Sequence, residues 1–267
     1  VPVRAWAITG ISLLLAACGG HTVKGDGPPA SGSASIPTLP GDAVPRQEPR
    51  SKYGNGPVYE VLGKRYTVLP SSEGYQERGV ASWYGKKFHG RLTSNREPYD
   101  MYAMTAAHKT LPLPTYVQVR NLQNNKTVVV RVNDRGPFLH NRIIDLSYAA
   151  ALKLDMVKEG TSLVEVTAIS FDQPPGPPVQ RAGTATATAA DKIFVQVGAF
   201  GDRSNAERRL ELLRTAGIDF AFIHEDHAVD PPLFRVRIGP VVDVGQYDLL
   251  VDELESVGIN DPYLIKD

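Results

Sequence analysis

The last part of the chain repeats itself, and the repeat leaves few folds open. Val195, Gly198, Asp202, Leu210, Gly217 and Ile218 recur in kind as Val236, Gly239, Asp243, Val251, Gly258 and Ile259, each 41 positions later with no gap. Each half reads strand, helix, strand. Ser204 with Glu207, and Asp243 with Gln246, have the spacing of capping boxes, in which side chains satisfy the free N–H groups of a first helical turn. Gly217 and Gly258 stand where helices stop in a left-handed residue. Two such halves predict one open sheet with two helices on one face, over residues 192–267. Alternation puts Val195, Val197 and Ala199 under the helices, with Phe194, Gln196 and Phe200 on the open face. On the matching strand Phe234, Val236 and Ile238 are core, which leaves Arg235 and Arg237 open. Aromatic and hydrogen-bonding side chains on one face suit a polysaccharide. An RNA-recognition sheet shares this topology, and a merely solvated face is the third reading. The balance of 29 basic and 29 acidic residues excludes the basic excess that phosphate contacts reward, so no nucleic-acid partner is expected.

The other end of the chain speaks to compartment. Arg4 precedes a short apolar run, residues 5–17. A membrane-spanning helix needs about 20 apolar residues, so residues 1–17 are read as a signal peptide. The only cysteine, Cys18, closes the run as Leu15-Ala16-Ala17-Cys18. This resembles the bacterial lipobox, which implies cleavage before Cys18 and a lipid anchor on it. Gly19, where an Asp would favour inner-membrane retention, points to the outer membrane. Residues 18–52 are read as a flexible tether reaching roughly 30 Å on average. Residues 172–191, rich in Pro and then Ala and Thr, are read as a second linker.

Between the linkers, residues 53–171 carry short β-like runs at 79–84, 102–107, 116–121, 126–132 and 163–169. Asn124-Asn125 suits a hairpin turn, and Ser147 suits the cap of a helix through Ala149, Ala150, Ala151, Leu152 and Leu154. Many short strands with few helices predict a small barrel. In residues 126–134, period two places Asp134 on the face of Val128, Val130 and Val132, at the barrel mouth. A partly buried carboxyl there could serve as a general acid. It could equally cap a turn or pair with Arg135. Glu97 and His108 could orient a carboxylate or a hydroxyl. A solvated loop Glu and a core His bonded to backbone would look the same. Trp83 and Tyr84 could floor a sugar site or fill the core.

Six motifs decide among these readings. Gly79-Val80-Ala81-Ser82-Trp83-Tyr84-Gly85, Phe88-His89-Gly90, Thr93-Ser94-Asn95, Thr105-Ala106-Ala107-His108, Val132-Asn133-Asp134-Arg135-Gly136-Pro137 and Arg142-Ile143-Ile144-Asp145-Leu146-Ser147 are together similar to the rare lipoprotein A family, in order over residues 53–171. The resemblance implies a double-psi β-barrel and lytic transglycosylase activity on peptidoglycan strands without stem peptides, at the division septum. It carries the family's functional residues onto Asp134, Glu97 and His108. Asp134 would protonate the oxygen between N-acetylmuramic acid and N-acetylglucosamine. The muramic 6-hydroxyl would then close on the anomeric carbon to leave a 1,6-anhydro end. Asp134 or Glu97 would be the base, and His108 would position a carboxylate or a sugar hydroxyl. No metal and no cofactor are implied.

The family usually has Gly where this chain has Arg96. Either that position needs a positive φ, which suits Arg poorly, or Arg96 contacts Glu97 and lowers its pKa. Residues 192–267 resemble the SPOR domain through FVQVGAF, RVRIGPV and the paired halves. That implies binding of peptide-stripped glycan, with contacts at Gln196, Phe200, Arg235 and Arg237. The expected fold class is thus mainly β plus α+β: a double-psi β-barrel followed by a small βαβ-βαβ SPOR (ferredoxin/RNP-like) domain. The expected protein is a periplasmic, lipid-anchored lytic transglycosylase of a Gram-negative bacterium. The alternative is an expansin-like wall-binding or scaffold lipoprotein that does not cut.

Overall fold

A computed structural model describes residues 27–29, 39–171 and 192–267. The signal segment, Cys18 and the linker at 172–191 lie outside the described residues. A small hairpin, β1 (Val58–Val61) and β2 (Lys64–Thr67), comes first. Then follow β3 (Gln76–Tyr84), β4 (Thr105–His108), β5 (Thr115–Asn121), β6 (Thr127–Asp134), β7 (Ile144–Ser147), α1 (Tyr148–Lys153) and β8 (Thr161–Ala168). Strands β3 to β8 close a six-stranded barrel in the order β3-β7-β4-β6-β5-β8, parallel at β3/β7 and β4/β6. Val128, Val130 and Val132 of β6 alternate into an interior shared with Val117, Val119, Val164 and Val166. β-Branched side chains suit such a pleated, buried surface. Ser147 caps α1 as expected, its hydroxyl accepting from the Ala150 N–H at 3.2 Å. Asn125 makes the β5–β6 turn with φ 60°. Strand β7 and the β1–β2 hairpin escaped the sequence reading.

The stretch read as a free tether is tied down in its second half. The Ala43 N–H donates to the Val129 carbonyl at 3.0 Å and the Ser51 N–H to the Leu113 carbonyl at 2.8 Å. Glu48 takes both arms of Arg131, at 2.9 Å each, and the Tyr116 hydroxyl at 2.6 Å. A two-toothed Arg–carboxylate pair holds its geometry well. The Pro and charged composition of residues 40–50 hid this strap, because it contributes few apolar side chains.

The Arg131 hydrogen bonds hold the Glu48 carboxyl down at about 2, against partial burial, with Tyr116 assisting. Since the folded value lies below the ordinary 4.5, the unfolded chain binds the proton more readily in that window. The contact therefore stabilises fully above about pH 4.5 and is lost as pH falls toward 2, on the order of 2–3 kcal/mol. Glu48→Gln is expected to lower the melting temperature at neutral pH and to flatten its acid dependence. Circular dichroism melts across that window would check this.

The last unit runs β9 (Ile193–Phe200), α2 (Arg203–Thr215), β10 (Ala221–Asp226), β11 (Leu233–Val241), α3 (Val244–Ser256) and β12 (Tyr263–Lys266). Its sheet is antiparallel in the order β10-β11-β9-β12. Val195, Val197, Val236 and Ile238 pack against Ala206 and Leu213 of α2 and Leu250, Val251 and Leu254 of α3. Asp243 caps α3, accepting from Gln246 N–H at 2.8 Å. The cap of α2 is Asp202, not Ser204, whose own N–H donates to Asp202 at 2.8 Å. The repeat pairs Asp202 with Asp243, so the same carboxylate opens both helices. Gly217 and Gly258 follow the helix ends with φ 86° and 79°.

Candidate active site

Asp134 does not lie on the valine face. Ala106 of β4 pairs with Val132, but Ala107 pairs with Asp134, so Asn133 is an extra residue in β6. A one-residue slip transfers everything beyond it to the other face of the sheet. Val132 points into the barrel; Arg131, Asn133 and Asp134 all lie outside it. There Asp134 lines a cleft of about 440 Å³ with Ser94, Arg96, Leu92, Tyr59 and Phe138. Its Oδ1 accepts from Ser94 N–H at 2.8 Å, Ser94 Oγ–H at 2.6 Å and Arg135 N–H at 2.7 Å. Three donors on one oxygen fix the carboxyl's orientation and leave Oδ2 for the cleft. The Arg135 side chain does not pair with this carboxylate. Its guanidinium turns to the carbonyls of Gly54, His108 and Leu111, at 2.8, 3.1 and 2.6 Å.

Glu97 is on the same outer face. Its Oε2 accepts from Arg131 Nη1 at 2.7 Å and Asn133 Nδ2 at 2.9 Å. Partial burial raises its pKa, but Arg131 and Asn133 outweigh it and the net direction is down. An ionised Glu97 next to a fixed cation suits orientation and charge balance better than proton donation. Arg96 makes neither of these contacts. It sits at φ 73°, which answers the question raised by the family's glycine, and its guanidinium lies 5.4 Å from the Tyr53 ring centre. The left-handed conformation costs a side chain about 1 kcal/mol, which an exposed cation–ring contact offsets by about half. Arg96→Gly is therefore expected to keep activity and raise stability by a few tenths of a kcal/mol. A melt beside a product assay would show it; a large loss in either would contradict it.

His108 belongs to the opposite face. It follows Ala107 in β4, and strand alternation turns it away from Asp134. The ring is 2% exposed, with Nδ1 accepting from the N–H groups of Thr110 and Leu111 at 3.2 and 3.0 Å. Nε2 stands 2.8 Å from the Tyr75 hydroxyl, which is itself bonded to Glu77. Burial, with the Arg135 and Lys109 charges, drives its pKa down to about 3. His108 is thus a neutral, backbone-bonded histidine that reaches the cleft only through its carbonyl on Arg135. The expectation that its ring positions a carboxylate or sugar is corrected accordingly.

Trp83 and Tyr84 do not floor the cleft either. Tyr84 is buried and stacks on Tyr99 at 4.0 Å, and Trp83 packs against Tyr148 at 5.5 Å. The cleft's aromatic wall is Tyr59 and Phe138, with Tyr66 stacked behind Tyr59 at 5.2 Å. Tyr59 and Tyr66 come from the hairpin the sequence reading missed, and Phe138 from the segment after β6; the Tyr59 and Tyr66 spacing within a Gly-turn hairpin was the hairpin's only signal.

The sheet of the last unit shows the same device. Val236 pairs with Gly198 and Arg237 with Gln196, so Val197 is extra. Phe200 therefore pairs with Phe234 on the helix side, packs on the core, and lies under Arg209. Its expected place on the open face is corrected, and Ala199, paired with Arg235, takes that side instead. Gln196 and Arg237 are on the open face but nearly buried. Gln196 bonds the Tyr263 hydroxyl, Arg237 pairs with Asp267 at 2.7 Å, and Arg235 pairs with Asp226 at 2.6 Å. Phe194 and Phe222 meet edge to face at 5.5 Å beside them.

Comparison with known proteins agrees with this two-part architecture. Residues 76–166 match the family model described as lytic transglycolase, a double-psi β-barrel, and residues 189–266 match the SPOR domain. A Vibrio cholerae protein named endolytic peptidoglycan transglycosylase RlpA is 39% identical, over 95% of this chain and 94% of its own. The Pseudomonas aeruginosa UCBPP-PA14 protein of that name is 36% identical over 84% and 80%. The Neisseria meningitidis serogroup B protein is 46% identical over 68% and 71%. The chain accordingly belongs to the RlpA family, with its barrel and SPOR domain both present.

Proposed function

We propose that this chain is an endolytic lytic transglycosylase of peptidoglycan, lipid-anchored through Cys18 and enriched at the division septum by its SPOR domain. The observation that supports it most is Asp134, held by three donors on Oδ1 at the edge of an open cleft with Oδ2 free to exchange a proton. In this reading Oδ2 protonates the glycosidic oxygen as the C1–O4 bond breaks. The muramic 6-hydroxyl then attacks C1, its proton passes to the same carboxyl, and a 1,6-anhydro end results. Positive charge develops at C1 during the step. Glu97, kept ionised by Arg131 and Asn133, holds the loop that carries Ser94 against that carboxyl. Tyr59 and Phe138 offer ring faces for the sugars.

The test is digestion of amidase-treated sacculi followed by mass analysis. Anhydro-muramic ends are expected from the wild-type protein. Binding to sacculi with no such ends would favour the non-cutting, expansin-like alternative.

A further inference from the structure

The cleft at Asp134 has a neighbour. A second hollow, of about 320 Å³, shares Phe138 with it. The β1–β2 hairpin divides the two: Tyr59 and Val61 of β1 line the cleft, whereas Lys64 and Tyr66 of β2 line the hollow. The ridge between them is aromatic. Tyr59 stacks on Tyr66, and Phe138 stands 6.4 and 5.6 Å from the two rings. A strand of sugars that crosses Phe138 therefore lies in both. Helix α3 of the last unit closes the far side of the hollow, tied to the barrel by Arg142, whose two arms each reach Asp248 at 2.9 Å.

The hollow carries two lysines. Lys109, half-buried, is fixed to the cleft wall through its carbonyl, which accepts from the Tyr59 hydroxyl at 2.7 Å. Its ammonium donates to the Arg142 carbonyl at 2.5 Å and reaches no carboxylate among the described residues. The exposed Lys64 ammonium has no partner among the described residues. Burial lowers the Lys109 pKa, and the Lys64 charge and, more weakly, that of Arg142 add to this; Glu77 and Asp145 oppose it without reversing the direction. The one acid lining the hollow among the described residues, Glu255, faces His140 at 3.4 Å. An anion beside the two ammonium groups would relieve their repulsion.

The substrate supplies such an anion. Removing a stem peptide breaks the amide on the muramic lactyl group and leaves a free carboxylate, so a stripped strand carries one on each muramic residue. A strand with its peptides has a neutral amide there. We propose that Lys64 and Lys109 form a subsite for the lactyl carboxylate of a muramic residue beside the bond that breaks, so that the barrel itself selects stripped strands. The proposal rests on the transglycosylase reading.

The experiment measures anhydro-end formation by the full chain, Lys64→Gln and Lys109→Gln on two substrates. One is soluble amidase-stripped strands; the other is the same strands with their lactyl carboxylates coupled to methylamine. On stripped strands each variant is expected to raise KM about three- to tenfold and to keep kcat within about twofold. On the methylamide strands the wild-type protein is expected to fall to the level of the variants, and the variants to fall no further. The SPOR unit is the same in all three proteins, so its share of binding cancels when they are compared on one substrate. A merely structural role would weaken both substrates alike. Equal KM rises on both substrates, or no rise on stripped strands, overturn the proposal. If Lys109→Gln does not fold, Lys64→Gln decides alone, because its exposed ammonium holds nothing in place. Absence of anhydro ends from the wild-type protein overturns the transglycosylase reading and this subsite with it; their presence with an unmoved KM in Lys64→Gln overturns the subsite alone.

Discussion

Replacing Asp134 by Asn is expected to remove anhydro-end formation, with a loss of about 10²–10⁴-fold or more, while sacculus binding persists. The isosteric amide preserves size and can keep its oxygen toward the Ser94 and Arg135 donors. It cannot give up and recover a proton at neutral pH, and general acid catalysis alone contributes on this scale. Binding should survive because the SPOR sheet lies in a separate unit, residues 189–266. The measurement is a product count by mass spectrometry paired with a sacculus pull-down. Retained product would remove Asp134 from the chemistry, whereas loss of both readouts with a lowered melt would mark a folding defect.

Arg135→Met is expected to be the most destabilising single change near the site. The side chain lies beside Tyr59 of the cleft wall, 5.7 Å from its ring centre, and ties the carbonyls of Gly54, His108 and Leu111 to one planar donor group. Removing it leaves these acceptors half-buried without a donor, at about 1 kcal/mol or more each. A total of about 3 kcal/mol corresponds to a fall of roughly 10–20 °C in the barrel's melting temperature. Lysine should not rescue, since a point ammonium cannot serve divergent carbonyls as the guanidinium does. Thermal melts of both variants would decide. A Met variant within a few degrees of wild type would show that the loop carbonyls find water instead.

The strand runs, the α1 cap at Ser147 and the paired halves of the last unit were legible because each is local. Periodicity, capping and turn chemistry act over a few residues, and β6 and β9 were placed well by alternation alone. The motifs around Asp134 were legible as a family pattern. For His108 and Tyr84 the residues alone left a core and a site reading side by side, because residue type says nothing about which face of a strand a side chain takes. The Glu48–Arg131 pair joins residues far apart in the chain, and a loose composition disguised the strap that brings them together.

The sequence by itself determined that there would be a barrel, then a repeated βαβ unit, and that Asp134 would be the residue to watch. Tertiary pairing decided which way that residue looks. Asn133 and Val197 are each left over between two paired strands, and such a residue cannot be recognised from one strand alone. One extra residue inverts alternation beyond it. That moved Asp134 from the barrel mouth to an outer cleft, and it moved Phe200 from the open sheet into the core.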